Sequence, residues 1–97
     1  MPTYTRLPRF QKDYETLSVV DKRAFKVAVS KFVADLSMGR FRKGLRVKGV
    51  QGSPGIFELT WADDGRATFQ YGPPIPGRDD PHIIWRRIGK HDIFNHP

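Results

Sequence analysis

Residues 56–71 read IFELTWADDGRATFQY, and their period decides the fold. Phe57, Leu59 and Trp61 alternate with Glu58 and Thr60. Ala67, Phe69 and Tyr71 alternate with Arg66, Thr68 and Gln70. Strict alternation is the signature of a half-buried strand, apolar on one face and polar on the other. Asp64-Gly65 between the two runs is a hairpin turn signal. Two antiparallel strands are therefore expected, with their apolar face covered by something else.

The cover lies upstream. Pro8 suits a first helical turn, where its missing N–H is no loss. Phe10, Tyr14 and Leu17 follow at i, i+4 and i+7. Ser18, with Asp21 three residues on, starts a second helix in the manner of a capping box. Phe25, Val29, Phe32 and Leu36 form its apolar stripe, widened by Ala28 and Val33, and Met38-Gly39 ends it. The two helices are adjacent and are expected to form a hairpin. Ahead of them TYTRL reads as an edge strand; after them LRVKGV, residues 45–50, alternates like a strand. Gly72–Pro81 holds four prolines and reads as a surface loop. HIIWRRI, residues 82–88, is apolar enough for a central strand. The expected order is β-α-α-β-β-β-β, an α+β fold with a helical hairpin on one face of a small, mostly antiparallel sheet.

Ninety-seven residues suit a single domain spanning 1–97. There is no cysteine, so no disulfide or Cys-based zinc site is available, which fits a cytoplasmic location. The N-terminus lacks the apolar core of a secretory signal, and no run approaches the roughly 18 apolar residues of a membrane span. No membrane partner is expected. The formal net charge is +7, which implies a polyanionic partner. Residues 40–48, RFRKGLRVK, carry five basic residues and no acid.

The sheet face away from the helices would present Arg46, Lys48, Glu58, Thr60, Arg66, Thr68, Gln70 and one of Arg86 or Arg87. Folding does not require an arginine-rich polar face. It reads as a surface for phosphates, because arginine and lysine supply fixed donors and charge. At the end of the last strand, RRIGKHDIF (86–94) adds His91, the best acid–base candidate, since an unperturbed histidine titrates near about pH 6.5. Arg87 and Lys90 nearby are expected to favour its neutral form. Glu58 is the alternative base, with an ion pair to a facing arginine as its simpler account. His82 reads as a loop histidine, and His96, near the last residue, is expected to be disordered. Asp79, Asp80 and His82 lack a recognised metal-ligand spacing, and an acidic turn accounts for them more simply. Trp61, Trp85 and Phe69 suit base stacking, but alternating strand positions place them in a core.

In this order of elements the chain resembles the RelE/ParE toxin superfamily of type II toxin–antitoxin systems. The resemblance rests on the helical hairpin, on LRVKGVQGSPGIFELTW with its L-x-x-K-G-x-x-G lead, on GRATFQY, and on IIWRRIGKHDIF with a terminal G-x-H turn. The ending is most similar to the YafQ-like mRNA interferase branch. The resemblance implies a metal-independent, ribosome-associated mRNA endonuclease held inactive by an acidic cognate antitoxin, with no cofactor. By position it implies a catalytic set of His91, Arg87, Asp64 and Arg66, the last stabilising charge at the scissile phosphate; Glu58 joins the catalytic candidates as the alternative base. By position Arg46 and Lys48 would hold RNA phosphate, and the basic residues Lys43, Arg86 and Lys90 are expected to bind it beside them. The chain departs from that branch at Thr60 and Trp61, where further histidines stand, and Phe94 arrives about one residue early. A ParE-like action on DNA gyrase by binding alone is the alternative, as is a domain that only binds nucleic acid.

Overall fold

The computed structural model describes residues 2–97. Strand β1 (Thr3–Arg6) leads into helix α1 (Pro8–Glu15) and helix α2 (Val19–Met38). A short 3-10 turn, Lys43–Leu45, precedes β2 (Lys48–Gly49), β3 (Phe57–Thr60), β4 (Arg66–Gly72) and β5 (His82–Gly89). A second 3-10 segment, His91–Asn95, follows β5. The five strands form one sheet in the order β1-β5-β4-β3-β2. All pairs are antiparallel except β1 with β5. The expected α+β arrangement is the observed one, with the last strand inside the sheet and the first at its edge. Among the described residues no helix is long and apolar enough to cross a membrane.

The local signals act as read. Pro8 opens α1, and the Ser18 hydroxyl accepts the Asp21 N–H at 3.0 Å to cap α2. Gly39 ends α2 in the left-handed region, φ 69°, which a side chain would oppose. The core is largely aromatic. Trp85 of β5 lies 5.4–6.0 Å, ring centre to ring centre, from Phe10, Phe25, Phe32 and Phe69. Such pairs add about 0.5–1.5 kcal/mol each beyond the area they bury. The tryptophan thus ties both helices to the middle of the sheet. Trp61, Trp85 and Phe69 are all buried, so none is offered for base stacking.

Three expectations are corrected. First, residues 45–47 do not pair; only Lys48 and Gly49 join β3. Phe41 stacks on Phe32, and Asp35 accepts the Arg42 backbone N–H and two guanidinium hydrogens at 2.8–2.9 Å. That anchor turns the chain, buries Leu45 and sets Arg46 at φ 49°, outside the sheet. Second, His82 is not a loop residue. It opens β5, is buried, and its ring nitrogens bond the hydroxyls of Thr3 (2.7 Å) and Thr5 (2.8 Å), clamping β1 to β5. Third, His96 is placed: its N–H donates to the Ile93 carbonyl and its own carbonyl accepts from Arg87.

Asp35 lies on the apolar stripe of α2, in step with Phe25, Ala28 and Phe32. The side-chain hydrogen bonds from Arg42, then that from its backbone, hold the carboxyl at about 2 against an ordinary 3.8. A carboxyl depressed on folding stabilises the native state above its ordinary pKa, and that stability is lost as pH falls through the folded value. Asp35→Asn should therefore lower the urea midpoint at pH 7, with the gap to the parent narrowing between about pH 4 and pH 2. A gap that stays constant over that range would contradict this assignment.

Candidate functional site

The site gathers where the β3–β4 loop meets the chain leaving β5. Thr60 pairs with Arg66, so residues 61–65 make the connection. It is closed by Trp61 N–H to the Gly65 carbonyl (3.1 Å) and Gly65 N–H to the Ala62 carbonyl (3.0 Å). Gly65 is needed here for space rather than for a positive φ. A Cβ at that position would lie 2.6–2.8 Å from the Trp61 ring. Arg66, 8% exposed, donates Nη1 to the carbonyls of Ala62, Asp63 and Gly65 at 2.9–3.2 Å. The arginine expected at a scissile phosphate thus braces the loop that carries Asp64.

After Gly89, Lys90 places its ammonium 5.6 Å from the centre of the Trp61 ring. The next residue, His91, bonds Asp64 through Nδ1 and Oδ1 at 2.7 Å. Both side chains are about 60% exposed. The hydrogen bond from His91, with the charges of His91, Lys90 and Arg66, holds the Asp64 carboxyl below the usual carboxylate range. An ionised carboxylate only accepts, so Nδ1 carries the hydrogen. In the neutral ring Nε2 is then the free lone pair. The nearest charged partner of His91 is therefore an anion, not the arginine and lysine expected from the sequence.

The far sheet face carries the other candidates. Trp85 and Ile88 are both buried in the core although three residues apart, because β5 bulges. Thr68 pairs with Arg87 and Phe69 with Trp85, leaving Arg86 as the extra residue. The bulge turns Arg86 and Arg87 to the same side, where the sequence allowed only one of them. Their partners differ. Arg87 is ion-paired with Asp13 of α1, Nε to Oδ2 at 2.6 Å. Asp13 also accepts the Ile88 N–H at 3.2 Å, replacing β1 beyond its end. Arg86 donates to Gln70 Oε1 and to the main-chain oxygen of Pro97, and has no Asp or Glu partner among the described residues.

Glu58 faces Lys48 at 3.9 Å; its partner is a lysine where an arginine was expected. Lys43 and Arg46 are exposed beside the sheet rather than on it. The site so assembled is the His91–Asp64 pair, with Lys90 and the braced loop beside it, at one end of a face that carries Arg86, Arg87, Thr68, Glu58 and Lys48. Asp13 and Gln70, which hold the two arginines, were not foreseen. An acid on a short amphipathic helix has no distinguishing spacing, and the role of Gln70 depends on the bulge.

The pair makes a direct expectation. In the parent, neutral His91 should hold its proton on Nδ1. In Asp64→Ala that proton should move largely to Nε2, read from the ring ¹⁵N shifts. Unchanged shifts would show that Asp64 does not orient the ring.

No protein-family model matches the chain, and no curated protein matches it. Solved structures do. The E. coli DinJ–YafQ complex aligns at 11% identity and TM-score 0.65 over 95% of this chain and 96% of the other. The YoeB/ParE toxin from Agrobacterium tumefaciens aligns at 11% and 0.66 over 92% and 98%. The RelB–RelE antitoxin–toxin complex from Methanococcus jannaschii aligns at 15% and 0.60 over 95% and 98%. With near-complete coverage on both sides, the chain has the fold of the RelE, YoeB and YafQ toxins.

Proposed function

We propose that this chain is the toxin of a type II toxin–antitoxin pair and that it cuts mRNA in the cytoplasm, on the ribosome, without a metal. The observation that carries the reading is the His91–Asp64 pair, set at the end of an arginine-bearing sheet face in a RelE-like fold. A protein that acted only by binding would need no oriented imidazole.

RNA supplies its own nucleophile. Neutral His91 takes the 2′-hydroxyl proton at Nε2, and the 2′ oxygen attacks the adjacent phosphorus. Asp64 is a positioning residue: it holds Nδ1–H and stabilises the imidazolium that forms. The P–O5′ bond breaks, leaving a 2′,3′-cyclic phosphate; the 5′ oxygen takes a proton from water, and the hydroxide so formed takes up the proton that His91 gained, restoring the neutral ring. The exposure of the pair makes water available. Arg86, with no Asp or Glu partner among the described residues, offsets charge on the pentacoordinate phosphorus. Lys48, Arg46, Lys43 and Lys90 draw in the RNA backbone. Arg66 and Arg87, committed to the loop carbonyls and to Asp13, hold the frame.

A net charge of +7 supports an acidic antitoxin as the resting partner. The DinJ–YafQ and RelB–RelE structures are themselves toxin–antitoxin complexes.

Adding the purified chain to a translating extract should cut mRNA. His91→Ala should slow cutting by roughly 10²–10⁴-fold, the usual contribution of an acid–base group. Intact mRNA together with arrested DNA supercoiling would instead mark a ParE-like action on gyrase. Arg86→Ala should reduce cutting with little change in Tm, whereas Arg87→Ala should lower Tm by leaving Asp13 without its partner. Equal effects of the two on both readouts would sink the division of roles.

A further inference from the structure

A cavity of about 270 Å³ lies between α2 and the β3–β4 loop. That is just below the roughly 300 Å³ at which sites for drug-sized ligands begin, so its occupant is small. Helix α2 lines it with Ala24 and Ala28, one turn apart, whose methyl groups leave the space unfilled. Leu45 and Val27 complete the apolar wall, and Val27 is 52% exposed.

Two buried polar atoms belong to residues of this lining. Thr60 Oγ1 and Trp61 Nε1 have no hydrogen-bond partner among the described residues, although Trp61 is only 7% exposed. Buried polar side chains are nearly always paired, so two orphans on neighbouring residues call for a partner from outside the chain. An indole N–H only donates, so that partner must accept.

The charges narrow the chemistry further. Lys31 and Asp63 also line the cavity, and neither has an ion-pair partner among the described residues. Opposite charges on one lining are thus not spent on each other. Arg42, the other cation there, is held by Asp35 through Nε and Nη2. A group that answers Lys31 and the Trp61 N–H is a carboxylate. A group that answers Asp63 is an ammonium. A group that covers Val27 and fills the space over Ala24 and Ala28 is apolar.

We propose that this cavity binds a free α-amino acid with a compact apolar side chain. Its carboxylate accepts from Trp61 Nε1 and pairs with Lys31, its ammonium pairs with Asp63, and its side chain lies on Ala24, Val27, Ala28 and Leu45. Such a site stands independently of the nuclease reading. It touches the same machinery, because Trp61 also carries Lys90 and its main-chain N–H closes the loop of Asp64.

The probe is L-leucine, titrated into the ¹⁵N-labelled chain. The Trp61 indole N–H peak, identified by its absence in Trp61→Phe, should move downfield and saturate while the Trp85 peak stays. A Trp61 peak that does not move, the result if the cavity holds only water, overturns the proposal. Glycine lacks the apolar group and should bind at least about tenfold more weakly than leucine. 4-Methylpentanoate and isopentylamine each lack one charge and should also bind at least about tenfold more weakly. Lys31→Ala and Asp63→Ala should weaken leucine binding by a similar factor; both positions are exposed, so Tm should hold. Leucine affinity kept by either variant, or matched by any of the three analogues, overturns the proposal, and the analogues need no variant.

Discussion

One extra residue in β5 determines what the sheet can do. Trp85 must stay in the core, because both helices pack on it through Phe10, Phe25 and Phe32. Ile88 must stay there too, at 2% exposure. An unbulged strand cannot place both on one face, since its side chains alternate with period two. Inserting Arg86 resolves the conflict and turns two arginines outward together. Shifting the register by one residue would carry one end of this strand's apolar set to the wrong face. The basic face therefore depends on the same packing that holds the core.

The position of His91 depends on a similar chain of contacts. Gly65 lets the Trp61 ring lie flat beneath the β3–β4 loop. Arg66 binds three carbonyls of that loop and fixes its shape. Lys90 then rests over Trp61, and the next residue meets Asp64. Each contact is modest, and an exposed pair such as His91–Asp64 contributes little to stability. Its value lies in orientation: a loop and a strand end far apart in sequence deliver one imidazole with a defined tautomer.

Much of this was legible in the sequence. Period two over residues 56–71, the caps at Ser18 and Gly39, Pro8 and the aromatic stripe of α2 each state a local preference that the tertiary structure keeps. His91 and Asp64 were both in view as candidates, though not as partners, because their contact spans 27 positions. The strand expected at residues 45–47 failed for a physical reason. Asp35 shares the buried stripe of α2 and needs a partner, and Arg42 supplies it at the cost of extended backbone. The run IIWRRI fits either parity, so sequence alone left open which arginine faces outward. The bonds that Thr68, Arg86 and Arg87 make to oxygens of His96 and Pro97 were invisible, because backbone acceptors leave no mark on a sequence pattern.

The central claim is that an oriented histidine beside an arginine face drives attack by the RNA's own 2′-hydroxyl. That route fixes the chemistry of the ends it leaves. Mapping the fragments made in a translating extract is the most direct measurement. The account predicts new 5′-hydroxyl ends, ligatable only after phosphorylation, paired with 2′,3′-cyclic phosphates, all lost in His91→Ala. New 5′-phosphate ends, or cuts that persist without His91, would contradict it.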